Sequence, residues 1–325
     1  MKIFKGIAVL SLILMSGLVF RACEDKEAIS RMEEEKRYFD LFVSSHYPEL
    51  SPRESGLYIY VVEEGTGISP DADDWMLVNY VVTSIPSNRT VMKVLDTYYE
   101  NVARENGIYY SGVLYGSYKF QRGNEVKALK EGFSTMKEGG KSRFIFKSDL
   151  GYGGEGTDVI NPYTSLIYDI HLMKVIPDIE SYELGKINDY LDTIPESKIT
   201  GIYDEETGAT LYYIEDKQGT GIEIARDTVV NVIYRGYFSD KRVFDSNIGG
   251  DTLKVVVGAN EVITGWDIGL TYFRTGGKGR LVVPYQLAYG EAGKLNYMGK
   301  VTIPPCETLI FDMEVLEFVE EELSE

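Results

Sequence analysis

The sequence is poor in the residues that most metal centres and nucleophilic active sites need. Its 325 residues include only two histidines and two cysteines. Cys23 and Cys306 lie in very different contexts, which argues against a structural disulfide, and no zinc-ligand spacing joins them to a histidine. His46 and His171 have no companion ligands nearby, so each is interpreted as a surface or core-edge residue. We predict neither a metal site nor a cofactor.

Positive charge is also scarce. The chain has 33 Lys and Arg residues against 51 Asp and Glu residues, which gives a formal net charge of −18 at pH 7. Such a surface repels a phosphate backbone, so nucleic acid is not an expected partner. Aromatic residues make up 12% of the chain and hydrophobic residues 44%, which excludes a wholly disordered protein. The length predicts roughly two domains.

The N-terminus has the layout of a secretory signal. Lys2 and Lys5 precede an apolar run, Gly6–Phe20, that is short for a transmembrane helix. Cys23 follows at once, which resembles a bacterial lipoprotein signal, in which this cysteine carries the lipid and becomes the first mature residue. We therefore predict a signal peptide at residues 1–22 and lipidation of Cys23. A plain signal peptide and an uncleaved anchor are the alternatives.

This leader predicts a cell-envelope protein, attached to the outer membrane through a lipid on Cys23. The acidic run Glu24–Glu27 resembles the segment that sends some Bacteroidetes-type lipoproteins to the cell surface. The protein would then face either the periplasm or the exterior. A charged tether with a helix is predicted at 24–56, and an acidic tail at 319–325.

The rest of the chain contains an internal repeat. The matched segments share their order: Leu77–Tyr80 with Asn231–Tyr234, Val94–Thr97 with Val243–Ser246, Glu138–Phe144 with Thr275–Leu281, and Leu150–Gly153 with Leu287–Gly290. We predict two similar domains at 57–176 and 208–318, joined by a linker with a short helix at 177–207.

Each copy is rich in strand patterns and has one short helix. Apolar residues alternate along 230–234 and 309–315, as on one face of a strand. Trp266, Leu270 and Phe273 instead share one face of a short helix. The predicted fold class is α+β, in which each domain is a curved antiparallel sheet wrapped around a short helix.

The second copy carries an ordered set of motifs across its whole length. They are Val232-x-Tyr234-x-Gly236, Val243-Phe244-Asp245-Ser246, Glu261-Val262-Ile263-x-Gly265-Trp266, Leu287-Ala288-Tyr289-Gly290 and Ile303-Pro304-Pro305. With these motifs, residues 208–318 resemble an FKBP-type peptidyl-prolyl cis-trans isomerase domain. The resemblance implies an enzyme that assists the folding of exported proteins and acts on proline-containing unfolded or flexible polypeptides.

The resemblance also implies a shallow apolar pocket that holds a prolyl ring. Trp266 would be its floor and Phe244 a wall, while Tyr289 would donate to a substrate carbonyl and Asp245 would lie beside the rotating amide. These four form the predicted catalytic set. The predicted substrate-binding residues are Tyr234, Val262, Ile263, Ile303 and Phe311.

Such a pocket suits rotation about an amide bond. Resonance gives the C–N bond a rotation barrier of about 18–20 kcal/mol. The twisted transition state loses that resonance and its oxygen becomes less polar, so an apolar pocket disfavours the planar ground state relative to it. Uncatalysed X–Pro bonds isomerise in tens to hundreds of seconds, so a catalyst speeds folding.

The first copy departs from this pattern. Leu129 stands where Trp266 does, Leu95 where Phe244 does, and Lys147 where Pro284 does. Each lost aromatic ring removes apolar contact with a prolyl ring. The first domain is therefore predicted to be weak or inert, although it keeps Tyr80, Asp96, Tyr152 and Tyr168 as counterparts of Tyr234, Asp245, Tyr289 and Phe311.

Two details of the second copy also depart from the family. No Lys or Arg follows Asp245 within 246–253, so another donor is expected to orient this carboxylate. The loop from Gly290 to Thr302 is long, and Tyr297 or Met298 is expected to cover the pocket.

Two other functions are compatible with the same sequence. A non-enzymatic lipoprotein would use both pockets to bind peptides or a partner surface. A chaperone would capture unfolded chains with the insert at 98–118, which is rich in Tyr and Gly; the alternative for this insert is a packed loop.

Overall fold

The structure, a computed structural model, describes residues 7–86, 91–123, 125–297 and 299–317, without the side chains of 7–25. The chain divides into two compact units. The first comprises Met1–Tyr109 and Gln121–Val175, and the second comprises Tyr110–Phe120 and Ile176–Glu325. A segment from within the first repeat is therefore part of the second unit.

The first unit starts with helix α1 (Ile7–His46) and three strands, β1 (Tyr58–Glu63), β2 (Trp75–Ser84) and β3 (Lys93–Thr97). Helix α2 (Glu100–Glu105), strand β4 (Tyr118–Gln121), of which only Gln121 is in this unit, and helix α3 (Lys127–Phe133) follow along the chain. Strand β5 (Lys141–Phe146), a 3₁₀ turn (Ser148–Leu150) and strand β6 (Leu166–Ile176) complete it. The sheet runs in the order β1-β5-β6-β2-β3, and the pairs β1–β5, β5–β6 and β2–β3 are antiparallel.

Helix α1 is packed onto the first unit through a buried carboxylate. Glu35 is 6% exposed and accepts hydrogen bonds from the Ser148 N–H at 2.7 Å, the Ser148 hydroxyl at 2.6 Å and the Ser165 hydroxyl at 2.7 Å. Three donors offset the cost of burying the charge. Phe39 and Val43 add apolar contacts one and two turns later, so the helix predicted within 24–56 is part of this unit.

Several predictions for the two chain ends fall on residues that the structure does not describe. They concern residues 1–6 and the side chains of 7–22 in the signal peptide, the Cys23 side chain, and the tail at 319–325. Among the described residues, no helix combines the length and apolar character needed to cross a membrane.

The second unit contains helix α4 (Ile179–Leu191), a 3₁₀ turn (Glu196–Lys198), and strands β7 (Ile199–Tyr203), β8 (Thr210–Lys217), β9 (Val229–Tyr237), β10 (Val243–Ser246) and β11 (Leu253–Val256). Helix α5 (Thr264–Gly269) runs into a 3₁₀ turn (Leu270–Tyr272). Then come β12 (Gly277–Val283), a 3₁₀ turn (Tyr285–Leu287), β13 (Lys294–Leu295), β14 (Val301–Ile303) and β15 (Leu309–Glu317).

The main sheet of the second unit has the order β10-β9-β15-β12-β8-β7, and β11 also pairs with β9. The neighbouring strands of this sheet are antiparallel. Trp266 and Leu270 from the helical segment pack with Val232, Leu281 and Phe311 from the strands in one buried cluster. The predicted α+β class, a curved antiparallel sheet around a short helix, is confirmed.

The short helix predicted within the 177–207 linker is present as α4, and its packing makes the segment part of the second unit. Helix α4 buries Ile187 against Ile214, Val282 and Ile310 of the second unit, and β7 pairs with β8 along its whole length. The helix escaped prediction as a domain element because its apolar face is narrow, with only Ile187 fully buried among its hydrophobic residues. The second unit therefore begins close to Ile176 rather than at 208.

A buried ionic cluster holds the 110–120 segment in the second unit. Lys119 is 2% exposed, and its Nζ lies 2.6 Å from Glu183 Oε1 and 2.8 Å from Glu307 Oε2. The same ammonium donates to the Cys306 carbonyl oxygen at 2.7 Å. Burial alone would raise the pKa of Glu183, but the positive charges of Lys119 and Lys186 outweigh it and hold that pKa below the ordinary value of 4.5.

Replacing Lys119 tests how much this cluster contributes to the stability of the second unit. Lys119→Met should lower the free energy of unfolding of the second unit by roughly 3 kcal/mol, because it removes the more deeply buried of the two ammonium groups that bridge Glu183 and Glu307 and leaves Lys186 to balance both carboxylates. Urea unfolding monitored by Trp266 fluorescence, in a Trp75→Phe background, measures the change. The control is Lys278→Met, which breaks an exposed pair with Glu314 and should cost at most about 1 kcal/mol. Equal small effects in both variants would contradict the expectation.

Candidate active site

Four aromatic rings meet in the second unit. Trp266 lies on α5, Tyr234 on β9, Phe311 on β15 and Phe244 on β10. The centroid of the Trp266 ring lies 5.0 Å from that of Tyr234 and 5.1 Å from that of Phe311, and the Phe311 and Phe244 centroids are 5.6 Å apart. All three pairs are edge-to-face, a favourable arrangement for aromatic rings. We call this set the aromatic box.

The aromatic box has a buried base and partly exposed sides. Trp266 and Phe311 are 3% and 4% exposed, whereas Tyr234 and Phe244 are half-buried. The structure thus brings together the predicted floor and three predicted walls. Gly236 allows the rings to approach, because a Cβ there would come within 2.6 Å of the Phe244 ring and 2.9 Å of the Phe311 ring.

The predicted residues Val262 and Ile263 reach the same core on the turn that leads into α5, and both are half-buried against it. Asp267, in the first turn of α5, fixes that turn. Its carboxylate accepts from the Gly258 N–H at 2.7 Å and from the Asn260 N–H at 3.0 Å. Sequence reasoning missed Asp267, although an acidic residue in the first turn of a helix after a Gly-Ala-Asn turn is a recognisable signal.

Asp245 is exposed at the edge of the box and has two donors. The Tyr234 hydroxyl donates to Asp245 Oδ2 at 2.8 Å, and the Ser246 N–H donates to Oδ1 at 2.9 Å. Burial, and then the bond to Asp245, raises the pKa of Tyr234 above its ordinary value of 10, so the phenol keeps its proton at neutral pH. A phenol and a backbone amide therefore orient the carboxylate that lacks a basic neighbour in 246–253.

Tyr289 and Ile303 complete the predicted set. Tyr289 is half-buried against the same core, with Lys294 Nζ 3.5 Å from its hydroxyl oxygen and 5.2 Å from its ring centroid. Ile303, on β14, is 3% exposed. The prediction that Tyr297 covers the pocket is wrong, because this side chain is 95% exposed; Met298, the other predicted cover, lies outside the described residues.

The first unit repeats part of this geometry. The Tyr80 hydroxyl donates to Asp96 Oδ2 at 2.7 Å, as Tyr234 does to Asp245. Tyr152, the counterpart of Tyr289, has its hydroxyl 3.0 Å from that of Tyr168. Tyr168 stands where the second unit has Phe311. The Tyr152 phenol, which corresponds to the phenol expected to bind a substrate carbonyl, therefore already has a hydrogen-bond partner.

Other reactive groups do not assemble into a site. Within the described ranges, no three His, Cys, Asp or Glu residues are grouped to hold a metal ion. Cys306 is buried, and burial raises the pKa of its thiol to about 12. Its thiol therefore stays protonated at neutral pH and is a poor nucleophile.

Comparison with known proteins assigns the chain to a family. The family model for FKBP-type peptidyl-prolyl cis-trans isomerases matches residues 106–173 and 221–316. The chain belongs to this family. The two matches fall in the two repeats, so the first copy is related to FKBP-type isomerases in its own right.

Individual relatives match parts of this chain. The FKBP-type 22 kDa peptidyl-prolyl cis-trans isomerase of Escherichia coli is 38% identical over 124 residues, which is 38% of this chain and 56% of that protein. FK506-binding protein 4 of Neurospora crassa is 34% identical over 145 residues, 44% of this chain and 29% of that protein. The crystal structure of the three FKBP domains of wheat FKBP73 covers 82% of this chain and 97% of its own, with 20% identity and a TM-score of 0.32. The chain thus spans 56% of the length of the first relative and 29% of the length of the second.

Proposed function

We propose that this FKBP-family protein isomerises prolyl peptide bonds at the aromatic box of its second unit, and that its first unit is weak or inert. One observation carries the proposal. The second unit assembles Trp266 and Phe244 with Tyr234 and Phe311 in edge-to-face contact, whereas the first unit has Leu129 and Leu95 at the corresponding positions. The Tyr–Asp hydrogen bond is present in both units and so does not distinguish them.

The chemistry follows from the apolar nature of the box. A prolyl ring placed on Trp266 gives up water contacts, and the rotating amide leaves a medium that stabilises its planar, charge-separated form. The twisted form is less polar and so loses less solvation free energy on transfer to this site, which lowers the barrier to rotation. The Tyr289 hydroxyl and the Ile263 N–H donate to substrate carbonyls, and Asp245 supplies a polar group beside the amide.

The cellular role is the folding of exported proteins. The leader supports export, and lipid on Cys23 would hold the enzyme at the outer membrane, facing the periplasm or the exterior. Proline-containing polypeptides in an extended or unfolded state are the substrates, because their X–Pro bonds populate both isomers and exchange slowly.

Activity is tested on residues 24–325 in a protease-free prolyl isomerisation assay. Trp266→Leu, which gives the second unit the residue found in the first, should lower kcat/KM at least about tenfold because an aromatic contact with the prolyl ring is lost. Asp245→Ala should also lower it. Leu129→Ala in the first unit is the matched control and should change the rate less than about twofold.

Two results would overturn this assignment of the site. One is full activity in Trp266→Leu, and the other is an equal loss in Leu129→Ala. Absence of activity in the unmodified chain, with retained binding of a proline peptide, would favour the non-enzymatic binding protein instead.

Lipidation is tested separately, by labelling with radioactive palmitate in a Gram-negative host. The unmodified chain should incorporate label and enter the membrane fraction, and Cys23→Ser should do neither, because the acceptor thiol is gone. Label in the Cys23→Ser variant, or none in the unmodified chain, would refute the anchor.

A further inference from the structure

The 110–120 segment, which lies within the first repeat in sequence but in the second unit in space, contacts the core of the proposed site. Leu114 is half-buried and packs against the buried cluster that includes Trp266, Ile303 and Phe311. Phe244 and Tyr289 are half-buried residues packed against the same cluster. Leu114 is therefore an apolar neighbour of the core that carries the proposed site, and it comes from outside the second repeat.

Two hydrogen bonds tie Leu114 and the next residue to parts of the chain that lead into site residues. The Leu114 N–H donates to the Val301 carbonyl oxygen at 3.0 Å, and Val301 is two residues before Ile303 on β14. Arg242 Nη1 donates to the carbonyl oxygen of the next residue, Tyr115, at 2.5 Å, and Arg242 is two residues before Phe244. The segment thus bridges the strand that carries Ile303 and the strand that carries Phe244.

The segment is adapted to this position. Gly116 has φ +115°, and a Cβ there would come within 2.8 Å of Arg242 Nη1, so both the backbone conformation and the space favour glycine. Three residues later, Lys119 enters the buried cluster with Glu183 and Glu307. Separating this cation from two buried carboxylates is costly, so the segment stays attached to the unit when the pocket is filled.

We propose that Leu114 is a specificity-determining residue of the second unit's site. It forms an apolar wall between Phe244 and Ile303 and limits the size of the side chain that precedes the proline. That residue carries the carbonyl of the rotating amide, so it must share the site with the prolyl ring. This inference rests on the function proposed above, and it assigns the degenerate repeat a part in the active site of its partner repeat.

The test compares two peptides, Ala-Ala-Pro-Phe and Ala-Leu-Pro-Phe, in the isomerisation assay with residues 24–325. Removing the leucine methyl groups makes room, so Leu114→Ala should raise the ratio of kcat/KM for the leucine peptide over the alanine peptide at least about fivefold. Leu114→Phe narrows the space and should lower the ratio. Val113→Ala, in the same segment but outside the packed set, is the matched control and should leave the ratio within about twofold of the unmodified chain.

Opposite shifts for the Ala and Phe variants support the wall. A ratio that is unchanged in both variants overturns it. An equal rise in kcat/KM for both peptides with Leu114→Ala also overturns it, because Leu114 would then hinder every substrate equally instead of selecting among them. Inactivity of the unmodified chain would instead refute the proposed function. In that case the Kd of each peptide is measured from the change in Trp266 fluorescence in a Trp75→Phe background. Opposite shifts of the ratio of the two Kd values in Leu114→Ala and Leu114→Phe support the wall, and a constant ratio overturns it.

Discussion

The close approach of a short helix to its sheet is the constraint on which this structure depends. A Cβ at Gly265 or Gly269 of α5 would come within about 2.5 Å of the Val283 or Leu281 side chain of β12, so the backbone of the helix packs directly on the side chains of the strand. This approach brings Trp266 into edge-to-face contact with Tyr234 and Phe311. The first unit uses the same device, because Gly132 of α3 lies against the Phe144 ring of β5, yet it carries Leu129 in place of the tryptophan. Both units therefore have the glycine, whereas only the second repeat has a tryptophan at the neighbouring position.

The hydrogen bond between Tyr and Asp has a structural role that explains its presence in both units. Tyr234 and Asp245 lie on the paired strands β9 and β10, and Tyr80 and Asp96 lie on the paired strands β2 and β3. In each case the bond fastens a short edge strand to a long one. An aspartate at this position is therefore a weak marker of isomerase activity by itself. The aromatic floor and wall, Trp266 and Phe244, are what the second unit has and the first unit lacks.

The repeat and the fold class were predictable from the sequence because ordered motifs and alternating apolar residues encode them, and the aromatic box was predictable through the resemblance of those motifs to the FKBP family. The 110–120 segment was not predictable in this way. Lys119 meets Glu183 from 64 residues away and Cys306 from 187 residues away, and no local pattern encodes such a pairing. Helix α4 was underestimated because one buried isoleucine gives little amphipathic signal. The error at Tyr297 arose from assuming that a large aromatic residue in a long loop folds inward, whereas β13 and β14 form a hairpin that leaves it exposed.

The central claim is that proline peptides bind at the aromatic box of the second unit and not in the first. The chain has two tryptophans, Trp75 in the first unit and Trp266 in the second, so their indole N–H signals report on the units separately. Titration of ¹⁵N-labelled protein with Ala-Leu-Pro-Phe should shift the Trp266 indole signal in a saturable manner and leave the Trp75 signal in place. A saturable shift of the Trp75 signal alone, or of neither signal despite measured peptide binding, would contradict the account.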